Sequence, residues 1–153
     1  SSVQGIRRWY YKYWQAGIGT SLMSWNPDGS NHWRGSGSYD AIWNGSGNIY
    51  IHPDNSQPIL VWNAPKSGTV KITGLVRKND IGGGDGVNVS IWKNNVMVWP
   101  SSSWQTVVYN NTTGFWHDIN VPVTFGDELS FRVDQRSNSG WDTTYWNPEI
   151  AYQ

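Results

Sequence analysis

Nowhere in its 153 residues does the chain sustain a helical apolar period. Short runs alternate apolar with polar residues and are cut by Gly, Asn, Asp, Ser and Pro roughly every eight to fifteen residues. Alternation with period two places successive side chains on opposite faces of an extended strand, and the frequent turn residues reverse the chain. An all-β fold follows, and the lack of strand–helix–strand units excludes the α/β classes. The expected architecture is a two-sheet antiparallel β-sandwich, jelly-roll-like, formed by one domain over residues 1–153.

The pattern predicts strands over 6–14, 20–24, 40–43, 48–52, 58–63, 68–78, 86–93, 95–99, 104–109, 115–124, 128–135 and 144–152. Lys93-Asn94-Asn95 and Phe125-Gly126-Asp127 read as hairpin turns, because Asn, Gly and Asp accept the positive φ of tight turns. The stretches 26–39, 79–85, 100–103 and 136–143 read as loops.

A chain of this length buries roughly 70 percent of its unfolded surface without a staple. Its eleven basic and eleven acidic residues cancel, so no overall field draws it to nucleic acid or to an anionic membrane. No apolar window approaches the roughly eighteen residues of a membrane span, and the first residues lack the order of a signal peptide. The chain therefore reads as a mature piece of a longer secreted protein. Cysteine is absent, which removes thiol catalysis, thiolate metal sites and disulfides.

Twelve Trp and eight Tyr accompany only 14% charged residues. That density exceeds the needs of one small core. Pyranose rings offer apolar C–H faces edged by hydroxyls, which flat aromatic rings flanked by Asn, Asp, Ser and Arg complement.

Two surfaces present such groups. In 86–92, Val87, Val89 and Ile91 share one face, leaving Asn88, Ser90 and Trp92 on the other; in 115–121, Phe115, Ile119 and Val121 leave Trp116, Asp118 and Asn120 opposite. If both strands lie in one sheet, Trp92 and Trp116 form a platform with Asn88, Asp118 and Asn120, extended by Trp104. The second surface is the loop end, with Trp25, Trp33 and Arg34 in one loop and Arg136, Asn138 and Trp141 in another. There, Arg can fork hydrogen bonds to vicinal hydroxyls or a uronate. The basic, aromatic segment Arg7 to Lys12 suits an acidic ligand, though a guarded edge strand is the favoured reading.

Catalytic signatures are weak. Glycoside hydrolysis needs two opposed carboxylates, and only Glu128 and Glu149 exist beside an Asp118–Asp134 pair that could meet across strands. His32, His52 and His117 have no zinc-site spacing, there is no GxSxG elbow, and Gly82 to Gly86 precedes a strand rather than a helix. No cofactor is required. Asp80, Asp85, Asp127 and Asp142 lie in loops that could hold a structural calcium ion, against the commoner role of Asp in capping turns.

Residues 40–153 also carry a family likeness. Trp62-Asn63-Ala64-Pro65, Gly68-Thr69-Val70 through Gly74, Gly84-Asp85-Gly86-Val87, Lys93-Asn94-Asn95 with Trp99, Phe125-Gly126-Asp127, and Asp142-Thr143-Thr144 with Trp146, Pro148, Ile150 and Tyr152 together resemble the β-sandwich carbohydrate-binding modules of secreted bacterial glycoside hydrolases and polysaccharide lyases. The resemblance implies a non-catalytic, extracellular module whose partners are a polysaccharide and the catalytic domain of a parent enzyme. A plant or microbial gum, of the xanthan type or another and anionic or not, is the expected ligand. It also implies that Trp62, Trp99 and Trp146 are framework residues. The alternatives are a small glycan-cleaving enzyme and a protein-binding adhesion domain.

Overall fold

The computed structural model describes residues 2–26 and 30–153. After a short 3-10 turn at Ile6–Arg8 come, among the described residues, fifteen strands: β1 (Trp9–Gln15), β2 (Gly19–Leu22), β3 (Ser24–Asn26), β4 (His32–Arg34), β5 (Ala41–Gly45), β6 (Asn48–His52), β7 (Gln57–Asn63), β8 (Gly68–Lys78), β9 (Val87–Lys93), β10 (Val96–Trp99), β11 (Gln105–Val107), β12 (Phe115–Val123), β13 (Glu128–Asp134), β14 (Thr144–Trp146) and β15 (Glu149–Tyr152). They form a seven-stranded sheet in the order β10-β9-β13-β7-β1-β2, with β11 also on β9, and an eight-stranded sheet in the order β12-β8-β14-β6-β5-β4-β3, with β15 also on β8. Their pairings are antiparallel, so the two-sheet sandwich expected from the sequence is the fold observed.

The alternation that announces the strands also builds the core. On β8, Val70, Ile72 and Val76 point inward and are fully buried, as are Val87, Val89 and Ile91 on β9 and Leu129, Phe131 and Val133 on β13. Each side chain of this kind contributes about 1.5–3 kcal/mol by leaving water. Trp62 and Trp146 lie in this core and Trp99 packs against it.

The Trp146 indole N–H donates to Nε2 of buried His117 at 2.9 Å, and its ring meets Phe131 edge-on with centroids 5.5 Å apart. Gly74 lies against this pair: a Cβ there would come within 2.9 Å of His117 Cε1 and 2.8 Å of the Asn147 carbonyl oxygen. Gly74→Ala is therefore expected to lower stability by about 1–3 kcal/mol through overpacking, read as a shifted urea midpoint with an unchanged slope.

Several local expectations are corrected. The stretch 26–39 is not all loop, since it holds β4, and β3 ends at its start; strands of three residues are too short for alternation to declare. Residues 6–8 form a 3-10 turn with Arg7 at φ 50, and β1 is no edge strand, because β2 and β7 flank it. Pro148, which cannot donate to a ladder, separates β14 from β15. Lys93 to Asn95 does close a hairpin, with Asn94 at φ 52. The Phe125 to Asp127 turn has the expected chemistry, Asp127 N–H donating to the Thr124 carbonyl, yet joins β12 and β13 of opposite sheets.

Of the twelve Trp, only Trp33, Trp62 and Trp146 are buried, whereas Trp14, Trp116 and Trp141 are exposed and the other six lie between. The interior does not absorb all of the rings.

Candidate functional site

The outer face of the seven-stranded sheet is largely filled by its own long side chains. Arg132 lies over the Trp92 ring at 4.6 Å, the Trp92 indole N–H donates to Ser90 Oγ at 2.8 Å, and Lys12 pairs with Glu128 at 2.5 Å. Ser90, Ser130, Ile59 and Val61 point to this face yet are buried beneath that cover.

The outer face of the eight-stranded sheet is different. Register aligns His32 of β4 with Trp43 of β5, Trp43 with Tyr50 of β6, Tyr50 with Tyr145 of β14, and Tyr145 with Arg77 of β8. Their inward neighbours Ile42, Ile51 and Trp146 are buried, so the row faces outward by the same alternation. The rings touch in sequence: His32 and Trp43 edge to face at 4.7 Å, Trp43 and Tyr50 nearly parallel at 5.5 Å, Tyr50 and Tyr145 edge to face at 6.1 Å, with Arg77 over Tyr145 at 4.6 Å. One strand further, Trp116 of β12 stands opposite Leu75 and is 74% exposed. With strands ~4.8 Å apart, β4 to β12 spans roughly 24 Å. On the same face of β12 stand Asp118, held by Lys71 at 3.1 Å, and Asn120.

This arrangement divides the residues the sequence singled out. Trp116, Asp118 and Asn120 share a face as expected, but Trp92 and Asn88 sit on β9 in the other sheet, so the single platform joining Trp92 to Trp116 does not exist. Local alternation places a side chain on a face without naming the sheet. Trp104 stays with Trp92, ring centroids 6.4 Å apart, and Asn88 accepts from Thr106 at 2.8 Å. Trp33 is not a loop residue: it is 4% exposed on β4, stacked on Tyr11 at 4.8 Å. Arg136 and Trp141 do lie in the 135–143 loop. Arg136 donates to the Asp85 carbonyl, and Trp141, 54% exposed, lays its ring on Gly82 and Gly83. That loop meets the 35–40 loop through Asp54, which accepts from Ser139 Oγ at 3.2 Å and from the Tyr39 N–H at 3.2 Å.

The acids are dispersed. Glu128 and Asp134 belong to β13 and Glu149 and Asp118 to β15 and β12, in opposite sheets, so neither pair weighed for hydrolysis faces across a shared cleft. Among the described residues no three His, Cys, Asp or Glu side chains gather as a metal site. Asp127 pairs with Lys93 at 3.2 Å and is held at about 2 chiefly by the Asn94 amide and the Thr124 N–H, while Asp142 is tied to Lys78 at 3.0 Å. No helix among the described residues is long and apolar enough to cross a membrane.

No protein-family model matches the chain and no curated protein matches its sequence. Its fold is similar to that of solved carbohydrate-binding modules. CBM51 from Clostridium perfringens GH95, in complex with methyl-galactose, is 11% identical at a TM-score of 0.46 over 98% of this chain and 91% of that one. CBM35 from Paenibacillus barcinonensis is 19% identical at 0.40, over 72% and 81%. The M60 catalytic domain with CBM51-1 and CBM51-2 from Clostridium perfringens ZmpB matches at 12% identity and 0.48 over 72% of this chain, which spans 12% of that chain. Likeness at this level is one of strand arrangement.

The sequence reading missed Trp43, Tyr50, Tyr145 and Arg77. The signal was present locally, since each ring sits between inward residues: Ile42 before Trp43, Ile49 and Ile51 around Tyr50, Thr144 and Trp146 around Tyr145.

Proposed function

We propose that this chain is a non-catalytic carbohydrate-binding module that holds a polysaccharide along the outer face of its eight-stranded sheet. The observation that carries the reading is the register-aligned row His32, Trp43, Tyr50, Tyr145 and Arg77, continued by Trp116. Cross-strand aromatic pairs stabilise a sheet by about 0.2–1 kcal/mol each, which accounts for neighbouring rings. Sheet stability does not call for a ring as open to water as Trp116. Pyranose C–H faces lie against the rings, while Arg77, Lys71, Asp118 and Asn120 hydrogen-bond the hydroxyls. Trp92, with Trp104 and Asn88, is the alternative surface, and Trp141 with Arg136 the loop alternative.

In this reading the protein acts outside the cell as part of a glycoside hydrolase or polysaccharide lyase. Tethering raises the enzyme's effective concentration at a gum-type substrate without any new contact on the module. Trp43→Ala and Trp116→Ala are each expected to weaken retardation in a polysaccharide affinity gel by at least about tenfold, the roughly 1.4 kcal/mol or more that truncating an aromatic anchor costs. Unchanged migration in both, with Trp92→Ala losing retardation, would move the site to the other sheet. New reducing ends or unsaturated uronates released from the gum panel would overturn the non-catalytic reading.

A further inference from the structure

At one end of the row the two sheets part around a cavity of about 480 Å³. This volume lies within the range of about 300–1,000 Å³ typical of small-molecule sites. Its floor is buried Ile42 and Trp33, and its walls are Trp25 and the Tyr11 ring that stacks on Trp33. Exposed Asn31 and Asn44 form the rim. Trp43 lines the cavity as well, between Ile42 and Asn44 on β5, while its ring lies in the outer row between His32 and Tyr50.

None of the described residues that line the cavity is charged. The polar groups are amides and hydroxyls: Asn31 makes no side-chain hydrogen bond among the described residues, and Asn44 spends only Oδ1, which accepts from the Gly47 N–H at 3.3 Å. Burial raises the Tyr11 phenol above its ordinary value, so its hydroxyl stays protonated. Flat apolar walls with uncharged donors and acceptors at the mouth match a pyranose that carries hydroxyls only. A carboxylate placed among these residues would lose hydration with no cation of the described lining to replace it, which is costly.

We propose that this cavity is a separate subsite that takes one uncharged pyranose unit, a chain end or side branch, of the glycan whose main chain lies on the outer row. The proposal rests on the reading of that row as a glycan track, with Trp43 shared between the two. It assigns selectivity to the cavity and most of the avidity for polymer to the row.

The test titrates methyl glucoside, methyl galactoside and methyl mannoside, and sodium glucuronate in parallel, into the full chain while indole N–H resonances are followed by NMR; polymer retardation is measured on the same protein. At least one neutral methyl glycoside is expected to saturate with shifts at Trp25, Trp33 and Trp43, and glucuronate to leave them unmoved. Trp25→Ala is expected to weaken that glycoside at least tenfold while polymer retardation falls by less. Asn44→Tyr, at the exposed rim, should close the cavity with the same outcome and serves if Trp25→Ala does not fold. Retardation that persists while no methyl glycoside binds, or while glucuronate binds as well as the neutral sugars, would overturn the subsite and leave the row standing. Loss of retardation for every polymer would remove the function on which it rests.

Discussion

Lys78→Met is expected to destabilise the protein by roughly 3–5 kcal/mol near pH 8, the cost of stranding one member of a buried ion pair. Lys78 is the eleventh residue of β8, and the strand's alternation carries it inward, where it is fully buried. Its ammonium donates to Asp142 Oδ1 at 3.0 Å and to the Trp141 carbonyl at 2.8 Å. Even with that partner, burial pushes the Asp142 carboxyl up to about 6. Without the ammonium it rises further, so the variant's native state takes up a proton that its unfolded state, with a carboxyl near the ordinary 3.8, does not. The variant must therefore regain stability as pH falls through that window. Urea unfolding at pH 8 and pH 5 measures this: a loss as large at pH 5 as at pH 8, or below about 1 kcal/mol at both, contradicts the account. Lys78→Met with Asp142→Asn removes both charges and should cost much less than Lys78→Met alone.

The pair also bears on the surface. Lys78 holds the backbone at Trp141, and the loop that contains Trp141 reaches the Tyr39 loop through Ser139 and Asp54. Loosening Lys78 therefore frees the loop end while leaving the aromatic row, which strand register positions, in place. Glycan retardation that survives in the Lys78→Met variant at pH 5 would separate the row from the loop end as the binding surface.

How much of this was legible beforehand follows from the range of each interaction. Strand existence was readable because alternation is local: β8 runs over 68–78 as predicted, and β9 and β12 begin or end within one residue of expectation. Sheet membership was not, because it depends on pairing partners far apart in sequence. β14 sits between β8 and β6, its Tyr145 roughly 95 positions from Tyr50, and nothing near Tyr145 announces that Tyr50 will be its neighbour. The same reason made Trp92 and Trp116 look like companions when their strands belong to opposite sheets. That Trp116, Asp118 and Asn120 share one face was readable because one strand suffices to place them; the row was not, because it needs five. Trp33 was misplaced among loop residues because β3 and β4 are each three residues long, too short for the period to show.

His117 is expected to make the protein acid-sensitive, in a way that a non-titrating replacement would cancel. Burial on the inner face of β12 is the main cause that lowers its imidazole from 6.5 to about 4. The geometry agrees, since Nε2 accepts the Trp146 indole N–H and cannot do so once protonated. A base depressed in the native state contributes stability that is complete above its unfolded value and is lost as pH falls from about 6.5 to about 4, where the unfolded chain binds a proton that the native one refuses. At about 1.4 kcal/mol per unit the loss amounts to roughly 3 kcal/mol. Asp142, raised to about 6, acts with the opposite sign over nearly the same range, so the parent protein taken alone shows only the residue of two opposed terms. Comparison with His117→Gln isolates the imidazole, because Asp142 is common to both proteins. The variant should be the less stable at pH 7.5 and should gain on the parent by roughly 3 kcal/mol by pH 4, measured as the difference in urea unfolding free energy. A difference that stays constant across that range would mean that the imidazole charges freely in the folded state, and that the Trp146 to His117 hydrogen bond does not hold it neutral.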